Sequence, residues 1–237
     1  MSKKRIYKKY VNQKFWLKFL LFWKYYFIDL AYIKKYGKPF SEYGVSLFTG
    51  FQGTGKTMAM VEYLERMRKL YPNVKIVTNF GYHAEDQPMI DWKDFFEIRN
   101  GEDGVIFAID EIQNEFNSTD WKNFPESMLS EITQQRKQKV KIIASSQVFT
   151  RVAKPLREQT SEVIECYTLL GRWTWLKAFD AQEFEAVIQD PIRKQKLKRK
   201  WRKNFVQDND IREMYDSYAK IERLKKTQFV ERRDRIS

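Results

Sequence analysis

A glycine-rich stretch, GFQGTGKT at residues 50–57, limits the possible folds of this chain more than any other feature. An apolar, strand-like run at 45–48 precedes it, and MAMVEYLERMRKL at 58–70 follows it with apolar residues at helical spacing. Glycines lack a Cβ atom, so successive backbone N–H groups can turn inward around a phosphate, and the next helix directs its positive end to the same place. The order of strand, loop and helix therefore predicts a phosphate-binding loop in an α/β domain.

The loop fits the pattern G-x-x-x-x-G-K-[ST], in which the lysine and the hydroxyl residue have separate predicted functions. Lys56 would neutralise the β and γ phosphate oxygens of a nucleotide, and the hydroxyl of Thr57 would bind Mg²⁺. The predicted ligands are therefore ATP and Mg²⁺. The residues predicted to contact the nucleotide are Gly50, Phe51, Gln52, Gly53, Thr54, Gly55, Lys56, Thr57 and Met58.

Two carboxylates stand at the end of a second apolar run, VIFAIDE at 105–111. A continuous apolar run is typical of a parallel strand that is buried on both faces. Asp110 would then hold the Mg²⁺ water shell together with Thr57, and Glu111 would polarise the attacking water as the general base. Taken alone, the two acids also fit a strand that ends at the surface, but the phosphate-binding loop favours the catalytic interpretation.

A third segment supplies two further candidate catalytic residues. Residues 126–138 are predicted to be helical, and VKIIASSQ at 140–147 predicts another buried strand. If this strand lies beside the one that ends in Asp110, Gln147 is placed next to the γ-phosphate as a polar sensor. Arg136 would reach the nucleotide of a neighbouring subunit as an arginine finger. The alternatives are an ordinary strand cap for Gln147 and a solvated cation at a helix end for Arg136.

The order of these segments resembles that of the zonular occludens toxin family. That family includes the morphogenesis ATPases of filamentous phages and belongs to the FtsK/HerA group of DNA-pumping ATPases. The resemblance covers roughly residues 45–180 and rests on GFQGTGKT, KIVTNF at 75–80, AIDEIQNEF at 108–116, ITQQRKQKVKIIASSQ at 132–147 and a following strand. Its strongest points are Thr78, Asn79, Asp110, Glu111, Arg136 and Gln147.

The resemblance implies an α/β fold: a P-loop NTPase of the additional-strand (RecA/FtsK-HerA-like) type, with a mainly parallel sheet flanked by helices. It also implies an ATPase of a virus or mobile element that works as a homo-oligomeric ring and moves DNA or nucleoprotein, without sequence specificity, during genome packaging or virion morphogenesis. The implied location is the host cytoplasm or the inner face of the host membrane. In that family a membrane-spanning segment usually follows the ATPase domain, and none is evident here.

Charge is distributed unevenly along the chain. Residues 1–44 hold 11 Lys and Arg against 2 Asp and Glu, residues 45–189 hold 17 against 21, and residues 190–237 hold 16 against 8. Basic ends on a mildly acidic centre favour a polyanion or an anionic membrane as partner. One cysteine and one histidine exclude a disulfide framework and a Cys/His zinc site within one chain. The predicted organisation is a basic, aromatic, amphipathic N-terminal extension at 1–44, an ATPase domain at 45–190 and a basic C-terminal extension with a helix at 191–237.

The N-terminal extension contains FWLKFLLFWKYYFIDLAYI at 15–33. Lys18, Lys24 and Asp29 interrupt the apolar residues, and a central charge costs more than the few tenths of a kcal/mol that each apolar residue gains, so we expect no membrane span. A helical projection separates an apolar, aromatic face from a more polar one. The segment is therefore predicted to lie on a membrane surface or to dock on a protein.

The C-terminal extension begins after Asp190 and Pro191 with RKQKLKRKWRK at 193–203, in which eight of eleven residues are basic. Such a segment is typical of a binder of nucleic-acid backbone, with Trp201 stacking on a base or packing on the domain. A solvated linker is the alternative. A further helix is predicted at 211–226. The residues predicted to contact nucleic acid are Lys194, Lys196, Lys198, Arg199, Lys200, Trp201, Arg202 and Lys203.

A second class of function stays open at this point. The same fold would also suit a nucleotide-gated assembly factor at a membrane, with the basic ends bound to anionic lipid instead of DNA. A small-molecule kinase is disfavoured, because nothing after the loop resembles an arginine-rich lid over an acceptor pocket.

Overall fold

The structure, a computed structural model, describes residues 14–90, 93–115 and 135–215. The chain divides into two compact units, one up to Pro39 and one from Phe40 onward. In the first unit, helix α1 spans Phe15–Tyr36, three residues beyond the predicted end, and stops at Gly37, which has a φ of +86°. None of its side chains is buried. Among the described helices, none combines the length and the apolar character needed to cross a membrane.

The second unit contains an eight-stranded sheet in the order β3-β2-β4-β5-β1-β6-β7-β8. Strands β1 to β6 pair in parallel, whereas β7 pairs antiparallel with both β6 and β8. The strands are β1 Gly44–Thr49, β2 Lys75–Thr78, β3 Gln87–Pro88, β4 Val105–Ile109, β5 Val140–Ser146, β6 Thr160–Leu169, β7 Trp173–Asp180 and β8 Trp201–Val206. The helices of this unit are α2 Lys56–Leu70, α3 Asp94–Glu97, α4 Ile112–Glu115, α5 Gln135–Gln138, α6 Lys154–Glu158, α7 Ala181–Val187, α8 Pro191–Lys196 and α9 Asn209–Glu213.

The apolar runs of the sequence become the centre of the sheet. All residues of β4 and β5 are buried, as a strand covered on both faces requires. One apolar core joins Phe48, Ile106 and Ile143 to the buried face of α2, and a second core on the opposite face joins Leu47 and Phe107 to α7 and the residues near it. The α/β fold with helices on both faces is therefore confirmed.

Strand β5 lies between β1 and β4, which is the additional-strand arrangement predicted from the sequence. Leu47 of β1 is opposite Ala144, and Ala108 of β4 is opposite Ile143. Because all three strands run parallel, their carboxyl ends meet at one edge of the sheet. That edge carries the glycine-rich loop, the two acids and the predicted sensor residue.

The structure differs from the predicted boundaries of the terminal extensions. Phe40 is 2% exposed and packs on Tyr71, so the second unit begins before residue 45. The basic segment is not a separate extension, because β8 pairs with β7 from Ala178↔Trp201 to Trp173↔Val206. Asp190 does not end the domain but caps α8, where its carboxylate accepts the N–H groups of Ile192 and Arg193.

Two predicted helices are described only in part. Of the helix predicted at 126–138, the structure describes α5 at Gln135–Gln138, and the rest lies outside the described residues. The helix predicted at 211–226 begins earlier, as α9 at Asn209–Glu213 with Asp208 as its cap, and residues from 216 onward lie outside the described residues.

Candidate active site

The glycine-rich loop joins the carboxyl end of β1 to the N-terminus of α2. Gly55 has a φ of +83°, a left-handed conformation that side chains with a Cβ atom rarely adopt. A Cβ atom there would come within 2.4 Å of the Thr168 hydroxyl, so the position has no room for a side chain. The Gly55 carbonyl accepts the N–H of Ala59 at 2.9 Å, which directs the free N–H groups of the first helical turn toward the loop. This geometry fits an anion at the helix N-terminus.

Lys56 is buried at the base of the loop, with 6% of its surface exposed. Its Nζ donates to the carbonyl of Phe51 at 3.2 Å and lies 3.8 Å from Oε1 of Glu111. The ammonium group is thus held over the concave side of the loop by a carbonyl and a carboxylate. A bound phosphate would offer the same cation stronger, charge-assisted acceptors.

Thr57 and Asp110 come together as the predicted metal site requires. The Thr57 hydroxyl donates to Oδ1 of Asp110 at 3.2 Å, although 53 positions separate the two residues in the sequence. Hydroxyl and carboxylate oxygens are the ligands that Mg²⁺ prefers, and this ion usually keeps several waters and substrate oxygens in addition to one or two protein ligands. The pair therefore fits Mg²⁺. Within the described ranges, no group of three or more His, Cys, Asp and Glu side chains could hold a metal ion.

Asn79 and Ser145 fix the position of Asp110 from two neighbouring strands. The Asn79 side chain accepts the N–H of Asp110 at 2.7 Å and donates to its carbonyl at 3.2 Å. The Ser145 hydroxyl donates to Oδ1 of Asp110 at 2.6 Å and accepts the N–H of Glu111 at 2.9 Å. Asn79 was a strong point of the resemblance without an assigned function, and sequence reasoning missed Ser145. The only signal for Ser145 was a small polar residue directly after the apolar residues 142–144 of a predicted buried strand.

Glu111 follows Asp110 in a left-handed conformation, with a φ of +55°. This conformation is uncommon for a residue other than glycine and persists where the surroundings enforce it. Its carboxylate accepts a hydrogen bond from Gln113 and lies 3.5 Å from Nε2 of Gln147, in addition to its contact with Lys56. Gln147 therefore lies at the carboxyl end of β5 beside the predicted general base. Its contact with the γ-phosphate stays a prediction.

The structure does not bring Arg136 into this site within one chain. Its guanidinium is exposed and lies 5.6 Å from the centre of the Tyr43 ring, directly before β1. This is the amino end of the strands, and the six residues of β1 span about 20 Å to the loop at the other end. The predicted contact with a neighbouring subunit is not tested by a single chain.

Some of the side chains that are predicted to contact nucleic acid form contacts within the domain instead. Lys194 forms an ion pair with Glu165, Lys203 one with Glu62 and Lys200 one with Asp180. Trp201 is partly buried on the apolar core, and its Nε1 donates to Glu162 at 2.9 Å, so it packs on the domain. The side chains of Lys196, Lys198, Arg199 and Arg202 are exposed.

A cavity of about 310 Å³ adjoins the N-terminus of α2. It is lined by Met58, Gln207, Arg212 and Tyr215, and sequence reasoning assigned only Met58 to the site. Gln207 is buried and donates to the Thr174 hydroxyl at 2.7 Å, while Nε of Arg212 donates to Gln207 at 3.3 Å. Arg212 therefore brings a cation close to the start of the phosphate-binding helix from a part of the chain about 150 residues away, a separation that motif searching cannot bridge.

Cys166, the single cysteine of the chain, is buried beneath the loop. Its burial raises the pKa of the thiol to about 12, so the thiol stays protonated near neutral pH. The residue therefore serves packing and not nucleophilic chemistry.

Comparison with solved structures supports the fold. The N-terminal domain of zonular occludens toxin from Neisseria meningitidis is similar at a TM-score of 0.55 and 16% identity, over 73% of this chain and 99% of that domain. The genome packaging NTPase B204 from Sulfolobus turreted icosahedral virus 2 gives a TM-score of 0.44 at 15% identity, over 59% and 92% of the two chains. No family model and no curated protein sequence matches the chain. The likeness to the toxin domain confirms the P-loop fold that the sequence resemblance implied, and at this identity it establishes the fold alone.

Proposed function

We propose that this chain is an ATPase that hydrolyses MgATP and uses the energy to move DNA or nucleoprotein during the packaging or morphogenesis of a virus or mobile element. The observation that carries the proposal is the convergence of Lys56, Thr57, Asp110 and Glu111 at the carboxyl ends of β1 and β4, beside the N-terminus of α2. Loop, metal-site oxygens and general base are the three parts that phosphoryl transfer to water requires.

Each side chain supplies one part of the chemistry. Lys56 and the N–H groups of the loop would hold the phosphates, and Thr57 and Asp110 would hold Mg²⁺, which neutralises charge on the phosphate oxygens when bound. Glu111 would accept a proton from the attacking water. Its position is fixed by the bond from its N–H to Ser145, and Gln147 lies beside its carboxylate. We place the sugar and base in the cavity bounded by Met58, Arg212 and Tyr215, which continues from the helix N-terminus.

The proposed cargo rests on the sequence resemblance to DNA-pumping ATPases and on the exposed basic side chains around β8. Assembly as a homo-oligomeric ring, with Arg136 serving the adjacent subunit, belongs to the same proposal. So does a location in the host cytoplasm or at the inner face of its membrane. The basic side chains that are exposed before and within β8 provide non-specific attraction to a nucleic-acid backbone, because such contacts release counterions without reading sequence.

The aromatic helix α1 favours a second candidate function, a nucleotide-gated assembly factor on an anionic membrane. Phe15, Trp16 and Phe27 are each at least 60% exposed, and Lys34 and Lys35 lie in the last turn of this helix. Aromatic rings and lysines on one helix are typical of segments that lie in the membrane interface. Docking of residues 15–33 on another protein is the competing explanation for the same exposed rings.

The deciding experiment is ATP turnover of the purified full chain with single-stranded DNA, duplex DNA, anionic vesicles or no addition, over a range of salt concentrations. The motor proposal predicts turnover that DNA stimulates and that salt suppresses, with Glu111→Gln as the inactive control. Stimulation by vesicles and not by DNA would favour the assembly factor. A parent protein without turnover under all four conditions would contradict the motor proposal.

A further inference from the structure

The antiparallel part of the sheet exposes a row of aromatic side chains that the active site does not use. Three cross-strand rows share one face of β6, β7 and β8, and we call this face the aromatic platform. The rows are Leu169–Trp173–Val206, Tyr167–Trp175–Asn204 and Glu165–Lys177–Arg202.

The aromatic platform is exposed although it continues a core face. Further along the same face, Val163 and Phe179 are buried under α7, where the rings of Phe179 and Phe184 lie 5.8 Å apart. Toward the other end of the strands α7 no longer covers this face, and the side chains of Tyr167 and Trp173 are 59% and 41% exposed. Single exposed apolar residues are ordinary, but a contiguous apolar patch on a sheet face indicates a binding surface.

The rings of the aromatic platform are held in place before any partner arrives. Trp173 and Trp175 have ring centres 4.9 Å apart at an angle of 38°. Nε1 of Trp173 donates to the side chain of Asn204 on the adjacent strand at 3.0 Å. Because this bond and the ring contact already restrict Trp173, stacking of a planar group on its exposed ring costs little side-chain entropy.

The charge around the rings selects an anionic partner. Lys177 and Arg202 are exposed in the third row, and the acid of that row, Glu165, is already paired with Lys194 at 2.6 Å. The exposed Lys198 stands in the segment that leads into β8. A single strand of nucleic acid matches both features, because its unpaired bases stack on rings and its phosphates attract cations.

We propose that the aromatic platform binds single-stranded nucleic acid, with bases stacked on Tyr167 and Trp173 and phosphates beside Lys177 and Arg202. Adjacent strands lie about 4.8 Å apart and alternate residues of one strand about 6.7 Å apart, spacings at which a sheet presents its rings to successive unpaired bases. A duplex is a poor fit, because its bases are stacked on each other and hidden from a flat surface. The inference rests on the proposed function and narrows its cargo to a strand with unpaired bases.

The aromatic platform is connected to the phosphate-binding loop by the turn of β6 and β7. On the opposite face of these strands, the Thr168 hydroxyl donates to the carbonyl of Thr54 at 2.9 Å and contacts the Thr174 hydroxyl at 2.8 Å. A cavity of about 600 Å³ next to the loop is also bordered by Tyr167 and Trp175. The hydrogen bond from Thr168 therefore joins the phosphate-binding loop directly to a strand that carries the rings.

The test measures binding of the full-length chain to a fluorescent oligothymidylate of about 20 nucleotides and to a duplex of the same length, by anisotropy at fixed salt. We expect the parent to prefer the single strand. Tyr167→Ala and Trp173→Ala should each weaken single-strand binding by about 5-fold to 150-fold, the range typical of the loss of one stacked ring. The matched variants Tyr167→Phe and Trp173→Phe keep a ring and should retain most of the affinity.

A charge variant separates stacking from attraction to phosphates. Lys177→Ala should lower the slope of log affinity against log salt by about one, as expected for one lost phosphate contact. Lys69→Ala removes the same charge from the exposed end of α2, which packs on the other face of the sheet, and should leave the slope unchanged. ATP turnover without DNA is measured for every variant and should stay at the parent level.

Four outcomes would overturn the inference, and only the last of them also contradicts part of the proposed function. Equal DNA binding by the parent and the alanine variants, with DNA-stimulated turnover intact, would leave the motor standing and remove the aromatic platform from it. Equal losses of DNA affinity in the alanine and phenylalanine variants would show that binding does not depend on stacking on these rings. A change of oligomeric state without a change in DNA binding would assign this face to protein contacts. A parent that binds neither DNA but turns over ATP would contradict the platform and the DNA cargo together.

Discussion

Ser145 donates a hydrogen bond to Oδ1 of Asp110 across 2.6 Å, and that oxygen also accepts the Thr57 hydroxyl at 3.2 Å. Ser145 belongs to the strand that is inserted between β1 and β4, so the additional strand orients the metal-site carboxylate directly. The same Ser145 oxygen accepts the N–H of Glu111. One buried hydroxyl thus sets the positions of both acids, which links the strand order of the fold to the chemistry of the site.

Ser145→Ala should therefore reduce ATP turnover and raise the Mg²⁺ concentration needed for half-maximal rate. Residues that orient a metal ligand typically change affinity or activity by about 10-fold to 100-fold. Steady-state turnover against Mg²⁺ concentration measures both effects. Ser146→Ala is the matched control, because this neighbouring serine is also buried but bonds to the carbonyl of Val148. A Ser145 variant no slower than the Ser146 variant would contradict the positioning of Asp110 by Ser145.

Lys56→Ala should abolish nucleotide binding. The substitution removes a buried cation together with its charge-assisted bonds to the β and γ phosphates, while the backbone of the loop remains. Fluorescence titration with a labelled ATP analogue measures the loss, and Lys69→Ala serves as a surface control of equal charge change. Near-normal affinity in the Lys56 variant would refute the phosphate-binding function of the loop.

Glu111→Gln should leave ATP binding intact and slow hydrolysis at least about a hundredfold, as expected when a general base is lost. The amide keeps the size of the side chain and its contact distance to Gln147, but it cannot accept a proton from water. Single-turnover hydrolysis and equilibrium ATP binding, measured on the same preparation, separate the two effects. Parent-level turnover would exclude Glu111 as the base.

Arg212→Ala should weaken ATP binding by about 10-fold or more, because a hydrogen bond to a charged group is typically worth about 1.5 to 3 kcal/mol. The reason is its position beside Met58 in the cavity in which we place the sugar and base of ATP. Arg212→Lys keeps the charge and should restore part of the affinity for ATP. If both variants bind ATP as the parent does, the cavity next to α2 does not hold the nucleotide.

Sequence patterns predicted correctly those parts of the fold and the site that depend on residues close together in the chain. The loop and the acids after an apolar strand follow local patterns that reflect phosphate and metal chemistry. The four predicted residues contact each other in the structure as the pairs Lys56–Glu111 and Thr57–Asp110. The core strands were predicted from continuous apolar runs. The predicted position of Gln147 followed from one assumption, that β5 lies beside β4, which the sheet order confirms.

The parts that sequence reasoning missed depend on distant contacts. Residues 201–206 read as a charged tail, but they alternate between a partly buried and an exposed side, as an edge strand does. The inward Lys203 is accommodated because Glu62 of α2 pairs with it, a partner 141 positions away. Likewise, Arg212 reaches the site only because the sheet continues through β8 and returns the chain to α2. No local sequence pattern predicts that the chain folds back onto α2 in this way.

Arg136 distinguishes an assembly from an enzyme that acts alone. Its side chain lies at the amino end of the strands of its own chain, about 20 Å from its own loop, so a catalytic function of Arg136 would require the nucleotide of another subunit. An arginine finger acts on charge that develops during phosphoryl transfer. We therefore expect Arg136→Ala to reduce turnover on the order of a thousandfold or more, with little loss of ATP affinity. Arg136→Lys should recover little, because it lacks the planar fork.

Mixing two inactive variants makes this prediction specific. A Lys56→Ala subunit binds no ATP but keeps its arginine, whereas an Arg136→Ala subunit binds ATP but lacks the finger. Mixed assemblies should regain part of the parent turnover, which neither variant shows alone. If Arg136 is only an exposed cation that contacts no other subunit, Arg136→Ala should be nearly as active as the parent, and mixing the two variants should change nothing. If turnover per chain also stays constant over a wide range of dilution, the ring model fails, and a monomeric nucleotide switch explains the site better.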